Sequence, residues 1–393
     1  MVRLEDIVVT GYGLKIPGAK NKQEFHHILE AGICTHSILK GKGRNEGDII
    51  AGLIDDEFET FGNRNYRRYP RSTRLAVAAA RDAVDMSGLS ADPRRIGVII
   101  GTSAGAILEV EAYAPVASGL KGYPVHGVSI VDSHTISSTV SEHIGAKGPA
   151  YTITTGCTAS LDAVSLGKLL LKTGQVDACL VGGTDAPLGQ WSINGFLKMK
   201  AIQSASSITD AGVPFSEQHD GFVLAEGAAM LILERREDAL KKGRPIHGSI
   251  GKVVSRNEGK PMLQVDETGK EMLSVLQAVV GDATPTYVNS QALGLKVNDR
   301  IESKNHHRMF KGKVPITSIK GMTGHSFAAM GAIQTISSIL SMEYGFIPPT
   351  IKTRQKGFES LPLVRETIYQ PVSSVSITTH GISGNNACML ISK

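Results

Sequence analysis

Cysteine is scarce: Cys34, Cys157, Cys179 and Cys388 are the only four in 393 residues. None forms a C-x-x-C pair, and no histidine stands at zinc-site spacing from one, so neither a disulfide framework nor a structural metal site is expected. No apolar run approaches the ~18 residues of a membrane span, no apolar segment opens the chain, and no N-x-S/T sequon occurs. With so few cysteines, this composition leads us to expect a cytoplasmic protein without a membrane segment. An excess of one charge is also missing. Lys+Arg number 42 against 37 Asp+Glu, a net charge of +5, with no dense basic stripe or recognisable module for nucleic acid. The one local cluster is Arg64, Arg67, Arg68, Arg71 and Arg74. It reads as a solvated face or as a docking surface for an acidic partner, with Arg64, Arg67 and Arg68 as the candidates.

What the chain has in quantity is glycine, 43 residues, against only 5% aromatics. That combination suggests closely packed α/β layers with many tight turns. Hydrophobic residues make up 41% and charged residues 20%, which excludes disorder as the dominant state and supports a large core. Short apolar runs alternate with longer helical patterns, the signature of βαβ units. Strands are expected over 7–10, 96–100, 150–155, 178–181 and 229–233, with helices over 73–86 and 158–173. A second half opens near Pro245, with helices over 271–280 and 326–344 and strands at 287–289, 314–319, 372–378 and 387–391. No long linker separates residues 1–244 from 245–393, so the halves should pack as one body.

The halves echo each other. In the first, ITTG leads to Cys157 and then to a helix of small residues. In the second, ITSIKGMTG leads to His325 and another small-residue helix. A duplicated fold would bring the two residues face to face. A cysteine at a helix N-terminus feels the macrodipole and free backbone N–H groups, which favour thiolate. The bland alternatives are a buried structural cysteine and a satisfied core histidine. Gly101-Thr102-Ser103-Ala104-Gly105 also matches the G-x-S-x-G elbow of α/β-hydrolases; its bland reading is a glycine-rich turn near the site.

Taken together, five segments in order resemble the β-ketoacyl-[acyl carrier protein] synthases, condensing enzymes of the thiolase fold. They are IVVTGYGLKIPGA at the start, TITTGCTASLDAV around Cys157, PFSEQHDGFVLAEGA, SIKGMTGHSFAAMGA around His325, and HGISGNNACMLI near the end. The resemblance implies an α/β thiolase fold, two duplicated βαβ halves forming a five-layered αβαβα body. It implies that Cys157 takes an acyl chain as a thioester, that His325 assists decarboxylation of malonyl-carrier protein, and that Lys320 positions that region. The N–H groups of Cys157 and Ile382 would form the oxyanion hole. No cofactor of its own is implied, since phosphopantetheine arrives on the acyl carrier protein. A homodimer, or a heterodimer with another ketosynthase, is implied through the strand preceding Cys157.

The chain departs from the family pattern where V-N-A-H-G-T-x-T-x-x-x-D would stand. Gln291 replaces the first catalytic histidine, while Ala292, Leu293 and Leu295 replace the glycine and threonines that meet the phosphopantetheine arm. Gln334 stands where the family has the glutamate partner of Lys320, and His380 and Ile382 replace two phenylalanines of the gating loop. A glutamine can donate a hydrogen bond to an enolate oxygen but cannot exchange a proton near neutral pH. The expectation is a ketosynthase-like acyltransferase of fatty-acid or polyketide biosynthesis, with an intact nucleophile and an altered decarboxylation site. The alternatives are a non-elongating transacylase and a chain-length-factor-like partner subunit.

Overall fold

The computed structural model describes residues 6–55, 68–116, 119–202, 207–216, 221–261 and 263–393. The first strand shows why glycine is abundant. Ile7–Lys15 is buried along its whole length and continues, past a register shift between Val9 and Gly11, through Gly11-Tyr12-Gly13, beyond the strand expected over 7–10. Helix Arg71–Ser87 lies directly across it. A Cβ on Gly11 would stand 2.3 Å from the carbonyl oxygen of Ala83, and one on Gly13 would stand 2.2 Å from that of Ala79. The glycines let backbone meet backbone, and the alanine-rich helix face completes the contact.

The chain is an α/β body in which one five-strand arrangement is used twice, as expected for the thiolase fold. The first half contributes the strands Ile7–Lys15, Ile96–Gly101, Ala150–Ile153, Ala178–Asp185 and Gly227–Arg235. The second contributes Gly248–Asn257, Tyr287–Asn289, Ile316–Thr317, Ser374–His380 and Asn385–Ser392. From the centre outward, each half places its strands in the order first, fifth, fourth, second, third. The senses agree as well: the first–fifth and fifth–fourth pairs are antiparallel, the fourth–second and second–third pairs parallel. Ile7–Val9 pairs with Gly248–Ile250 and joins the halves into one ten-stranded ladder.

Helices Ala159–Lys172 and Met330–Tyr344 follow the third strand of their halves and pack together between the two halves of the sheet. Gly331 sits against Leu161, where a Cβ would approach Leu161 Cγ to 2.7 Å, and Ser160 Oγ accepts the Ala332 N–H at 3.0 Å. Helix Met330–Tyr344 is buried from Met330 through Met342, serine and threonine included. Helices Arg71–Ser87 and His134–Ile144 cover one outer face, and Lys270–Val280 with Lys296–Phe310 cover the other. The layers therefore run αβαβα.

Several elements differ from the sequence reading in extent. The strand expected over 314–319 is only Ile316–Thr317, because the chain turns into a short helix at Lys320. Strand Ala150–Ile153 is the outermost of its half and only partly buried, with Tyr151 45% exposed. Of the arginine cluster, Arg64 and Arg67 lie outside the described residues. Arg68 is exposed. Arg71 is not part of a solvated face: its guanidinium holds both carboxylate oxygens of buried Glu226 and the Ile54 carbonyl.

Gly13→Ala is expected to destabilise the protein by about 1–3 kcal/mol, since the new methyl meets backbone rather than a movable side chain. A lower urea midpoint at unchanged slope checks this.

Candidate active site

After strand Ala150–Ile153 the chain reverses at Gly156, whose φ of +69° is left-handed, and enters a single turn, Gly156–Thr158, ahead of helix Ala159–Lys172. Cys157 lies in that turn, 5% exposed. In the second half, Gly324 (φ +72°) ends the short helix Lys320–Thr323 and releases His325. The His325 backbone is fixed by a bond to the Val223 carbonyl at 2.8 Å and by the Ala225 N–H at 3.1 Å. Phe222 packs edge-on against its ring at 5.5 Å between centroids, and Phe327 lies at 5.1 Å. This support places His325 Nε2 3.2 Å from Cys157 Sγ.

The electrostatics of this pair differ from the expectation of a lowered thiol pKa. Burial pushes the Cys157 thiol up to about 12, with the Asp185 carboxylate adding to the rise. Lys320 and the backbone N–H groups of Cys157 and Ile382 pull the other way. A helix N-terminus is weaker here than the loss of water around a fully enclosed sulfur. Burial and Lys320 hold the imidazole of His325 well below its usual range, so it is neutral. His325 Nδ1 is buried without a partner among the described residues. A neutral thiol can donate S–H to an unprotonated Nε2, the tautomer in which the ring proton sits on Nδ1.

Lys320 is 2% exposed, and its Nζ donates to the Ser290 carbonyl at 3.1 Å. Burial lowers its pKa to about 7, against the opposing pull of Glu302, Cys157 and Asp299. Gln334 does not meet Lys320. Its Nε2 donates to the carbonyls of Asn289 at 2.9 Å and Ser290 at 3.1 Å, and its Oε1 is buried without a partner. The two side chains thus converge on one backbone oxygen instead of forming an ion pair.

Gln291 follows strand Tyr287–Asn289 and is 1% exposed. Its Nε2 donates to the His380 carbonyl at 3.3 Å, and its Oε1 has no partner among the described residues. The reverse orientation of the amide would set two oxygens against each other, so the network fixes this one. The loop around Gln291 is pinned by two buried carboxylates of helix Lys296–Phe310. Glu302 accepts the Gln291 N–H at 3.2 Å and the Thr378 hydroxyl at 2.6 Å. Asp299 accepts the N–H groups of Leu293 at 3.1 Å and Gly294 at 3.2 Å. The His380 imidazole, 4.0 Å from Glu302, is lowered by burial and stays neutral. Glu302 carried no signal in the sequence: it is one acidic residue on a mostly polar helix, and only the fold turns it inward.

A cavity of about 380 Å³ opens on Cys157, Gln291, His325 and His380, and Leu293, Leu295 and Ile382 also line it. A second cavity, about 270 Å³, reaches Cys157 past Thr154, Phe196 and Ser383. All eight site residues named from the sequence are therefore close together, with Lys320 just behind the lining. The G-x-S-x-G segment has another role. The N–H groups of Ser103 and Ala104, with the Thr102 hydroxyl, bind the buried Asp185 carboxylate at 3.0, 2.7 and 2.9 Å. No histidine is hydrogen-bonded to Ser103 among the described residues.

Comparison with known proteins agrees with this architecture. Residues 4–239 match the family described as "Beta-ketoacyl synthase, N-terminal domain", and residues 247–354 match "Beta-ketoacyl synthase, C-terminal domain". The chain is 33% identical to the tetracenomycin polyketide synthase ketoacyl synthase alpha subunit of Streptomyces glaucescens, over 88% of this chain and 86% of that one. It superposes with a TM-score of 0.88 and 26% identity on a solved complex titled "AntDE:AntF (apo): type II PKS acyl-carrier protein in complex with its ketosynthase bound to the hexaketide", covering 99% of both chains. The ishigamide ketosynthase/chain length factor shares the fold at a TM-score of 0.89 and 24% identity, again over 99% of each chain. The chain belongs to the β-ketoacyl synthase family of condensing enzymes, in the company of type II polyketide ketosynthases.

Proposed function

We propose that this chain is a carrier-dependent acyltransferase in which Cys157 accepts an acyl group as a thioester and condensation with a malonyl unit is impaired. One observation carries the reading: Cys157 Sγ lies 3.2 Å from His325 Nε2, with the N–H groups of Cys157 and Ile382 acting on the same sulfur, between two cavities. As the sulfur attacks the carbonyl carbon of an acyl thioester, its proton passes to His325 Nε2. The carbonyl oxygen takes up negative charge facing the two amides. When the tetrahedral adduct collapses, the C–S bond to the pantetheine breaks, and the departing thiolate recovers the proton from His325. No external base and no metal enter this sequence.

Decarboxylative condensation asks for donors aimed at the enolate oxygen that forms as carbon dioxide leaves. Gln291 spends one of its two amide N–H groups on the His380 carbonyl, which leaves a single N–H for an enolate, and its Oε1 is an unpartnered acceptor. This favours the transacylase alternative over full condensing activity. The chain-length-factor alternative gains less support, because the nucleophile and its histidine are both in place. For partners, the AntDE:AntF complex pairs a ketosynthase with a carrier protein, and we extend that pairing to this chain. We also infer a dimer, homo- or heteromeric, through the open edge of strand Ala150–Ile153 with Tyr151 exposed on it.

Incubation with an acyl-carrier protein and intact mass analysis is expected to show one acyl adduct, located by peptide mapping on Cys157. An adduct on Ser103 would revive a hydrolase and sink this reading.

The pH dependence follows from the same charges. With burial holding the thiol well above its usual range, little thiolate is present at pH 7, so alkylation of Cys157 by iodoacetamide is slow and accelerates with pH. Lys320 loses its charge as pH rises through about 7, which removes a cation that favoured thiolate. Near pH 7 the rise is therefore less than tenfold per unit, and it steepens above pH 8. A rate already at its plateau at pH 7 would contradict the buried neutral thiol.

Self-acylation is expected to be faster than condensation, and Gln291→His is expected to raise the condensation rate by no more than about the 10²–10³ that one oxyanion donor supplies. The gain falls short of that because Leu293, Leu295 and Gln334 also depart from the family pattern. Single-turnover assays of the two half-reactions check this. Condensation at full rate in the natural chain, slowed by Gln291→His, would make Gln291 an adapted catalytic residue and reject the transacylase reading.

A further inference from the structure

Asp185 closes strand Ala178–Asp185 and is fully buried. Its carboxylate takes hydrogen bonds from both halves of the molecule. From the first half come the Thr102 hydroxyl at 2.9 Å and the N–H groups of Ser103 and Ala104 at 3.0 and 2.7 Å. From the second half comes the N–H of Ala328, which reaches Oδ2 at 2.9 Å. Burial raises the Asp185 carboxyl to about 6 against the pull of these donors, so it is ionised at neutral pH. Ala328 stands three residues past His325, and the turn between them is fixed at its other end as well. The Val223 carbonyl and the Ala225 N–H hold the His325 backbone, and the Ser326 hydroxyl donates to the Glu226 carbonyl at 2.9 Å. Inside this turn Phe327 has a φ of +42°, a left-handed backbone that a residue with a side chain adopts at a cost. Such a shape persists only where its neighbours over-determine it. The Phe327 ring stacks on Phe196 at 5.3 Å between centroids, packs on His325 at 5.1 Å, and lines both cavities that meet at Cys157. Beside it strand and turn touch through their backbones: a Cβ on Gly183 would stand 2.4 Å from the Ala328 carbonyl oxygen.

We propose that Asp185 is a positioning residue for the reacting pair: by gripping the Ala328 N–H from the first half, it holds the strained turn after His325 and keeps the imidazole and the Phe327 ring at Cys157. Among the described residues Asp185 has no hydrogen bond to Cys157 or His325, so it acts through the turn. Its charge nonetheless reaches the sulfur, where it works against thiolate. Position and charge therefore act in opposite directions. The carboxylate improves the placement of the base while it keeps the proton on sulfur until an acyl thioester arrives. The effect on rate rests on the acyl-transfer reading above, whereas the effect on structure rests on the hydrogen bonds alone.

The test separates the two effects in the protein in its native assembly. Acyl transfer to Cys157 is followed by intact mass with acetyl-pantetheine as donor, and thiol reactivity is followed with iodoacetamide. Asp185→Asn is expected to lower the maximal transfer rate by about tenfold to a hundredfold with little change in KM, the range for a catalytic group displaced by up to about 1 Å. The same variant is expected to alkylate Cys157 faster, since the charge opposing thiolate is gone. Buried Cys179 and Cys388 should stay unlabelled and so report an intact fold. Thr102→Val removes one donor but keeps the charge, so it should slow transfer less and leave alkylation unaccelerated. In Phe327→Gly the left-handed backbone carries no cost, so adding Asp185→Asn there is expected to cost at least about threefold less than in the natural chain. An unchanged transfer rate in Asp185→Asn, or losses that simply multiply with Phe327→Gly, would overturn the proposal. If Asp185→Asn labels Cys179 and Cys388, Thr102→Val decides: slower transfer with those cysteines protected upholds the positioning role, and an unchanged rate rejects it. If the natural chain accepts no acyl group, the acyl-transfer reading fails, and crystal structures judge the positioning. A Cys157–His325 separation that widens in Asp185→Asn upholds it, and one that stays at 3.2 Å overturns it.

Discussion

The contact between Cys157 Sγ and His325 Nε2 is made across the two halves of the molecule, 168 residues apart in the chain. Neither residue can be placed without the other's half. Each follows the third strand of its half, and each precedes one of the two helices that pack in the middle layer. The 3.2 Å distance therefore depends on how closely helices Ala159–Lys172 and Met330–Tyr344 approach, which small residues such as Gly331 permit. The ten-stranded ladder, joined through Ile7–Val9, fixes the halves that carry those helices. Much of the fold can be understood as the means of holding one sulfur against one ring.

Enclosure has a consequence for the chemistry. Removing water raises the Cys157 thiol and lowers Lys320 and His325, so charged forms are disfavoured throughout the site. A site of neutral groups is suited to moving a proton only when substrate is present. The acidic side chains at its margins are held by hydrogen-bond donors: Asp185 by the Thr102–Ala104 turn, Asp299 and Glu302 by amides of the loop at Gln291. The turn at Gly101 and the loop at Gln291 both follow the second strand of their halves. The duplication thus gives both halves a backbone-amide cradle for a buried carboxylate.

The altered residues form one connected patch. Gln291 bonds to the backbone of His380, His380 faces Glu302, Glu302 anchors the Gln291 amide, and Gln334 and Lys320 share the Ser290 carbonyl. A change at one of these positions alters the hydrogen bonding of the next. This connection is why these positions are best read as a set.

The sequence was enough to establish the α/β class, the two halves and their strand-to-helix junctions, because local periodicity and glycine placement are written residue by residue. It also singled out Cys157, His325, Lys320 and Gln291 as candidates, through motifs short enough to read directly. The length of strand Ile7–Lys15 was not legible, since glycines that mark a turn in isolation mark a close helix contact once Arg71–Ser87 lies on the strand. The role of G-T-S-A-G was likewise undecided until Asp185 arrived from another strand. The upward shift of the Cys157 thiol, the inward turn of Glu302 and the donor direction of Gln291 depend on which atoms are excluded from water and which distant groups fill their places. Those are properties of packing between segments far apart in the chain, and only the tertiary structure decides them.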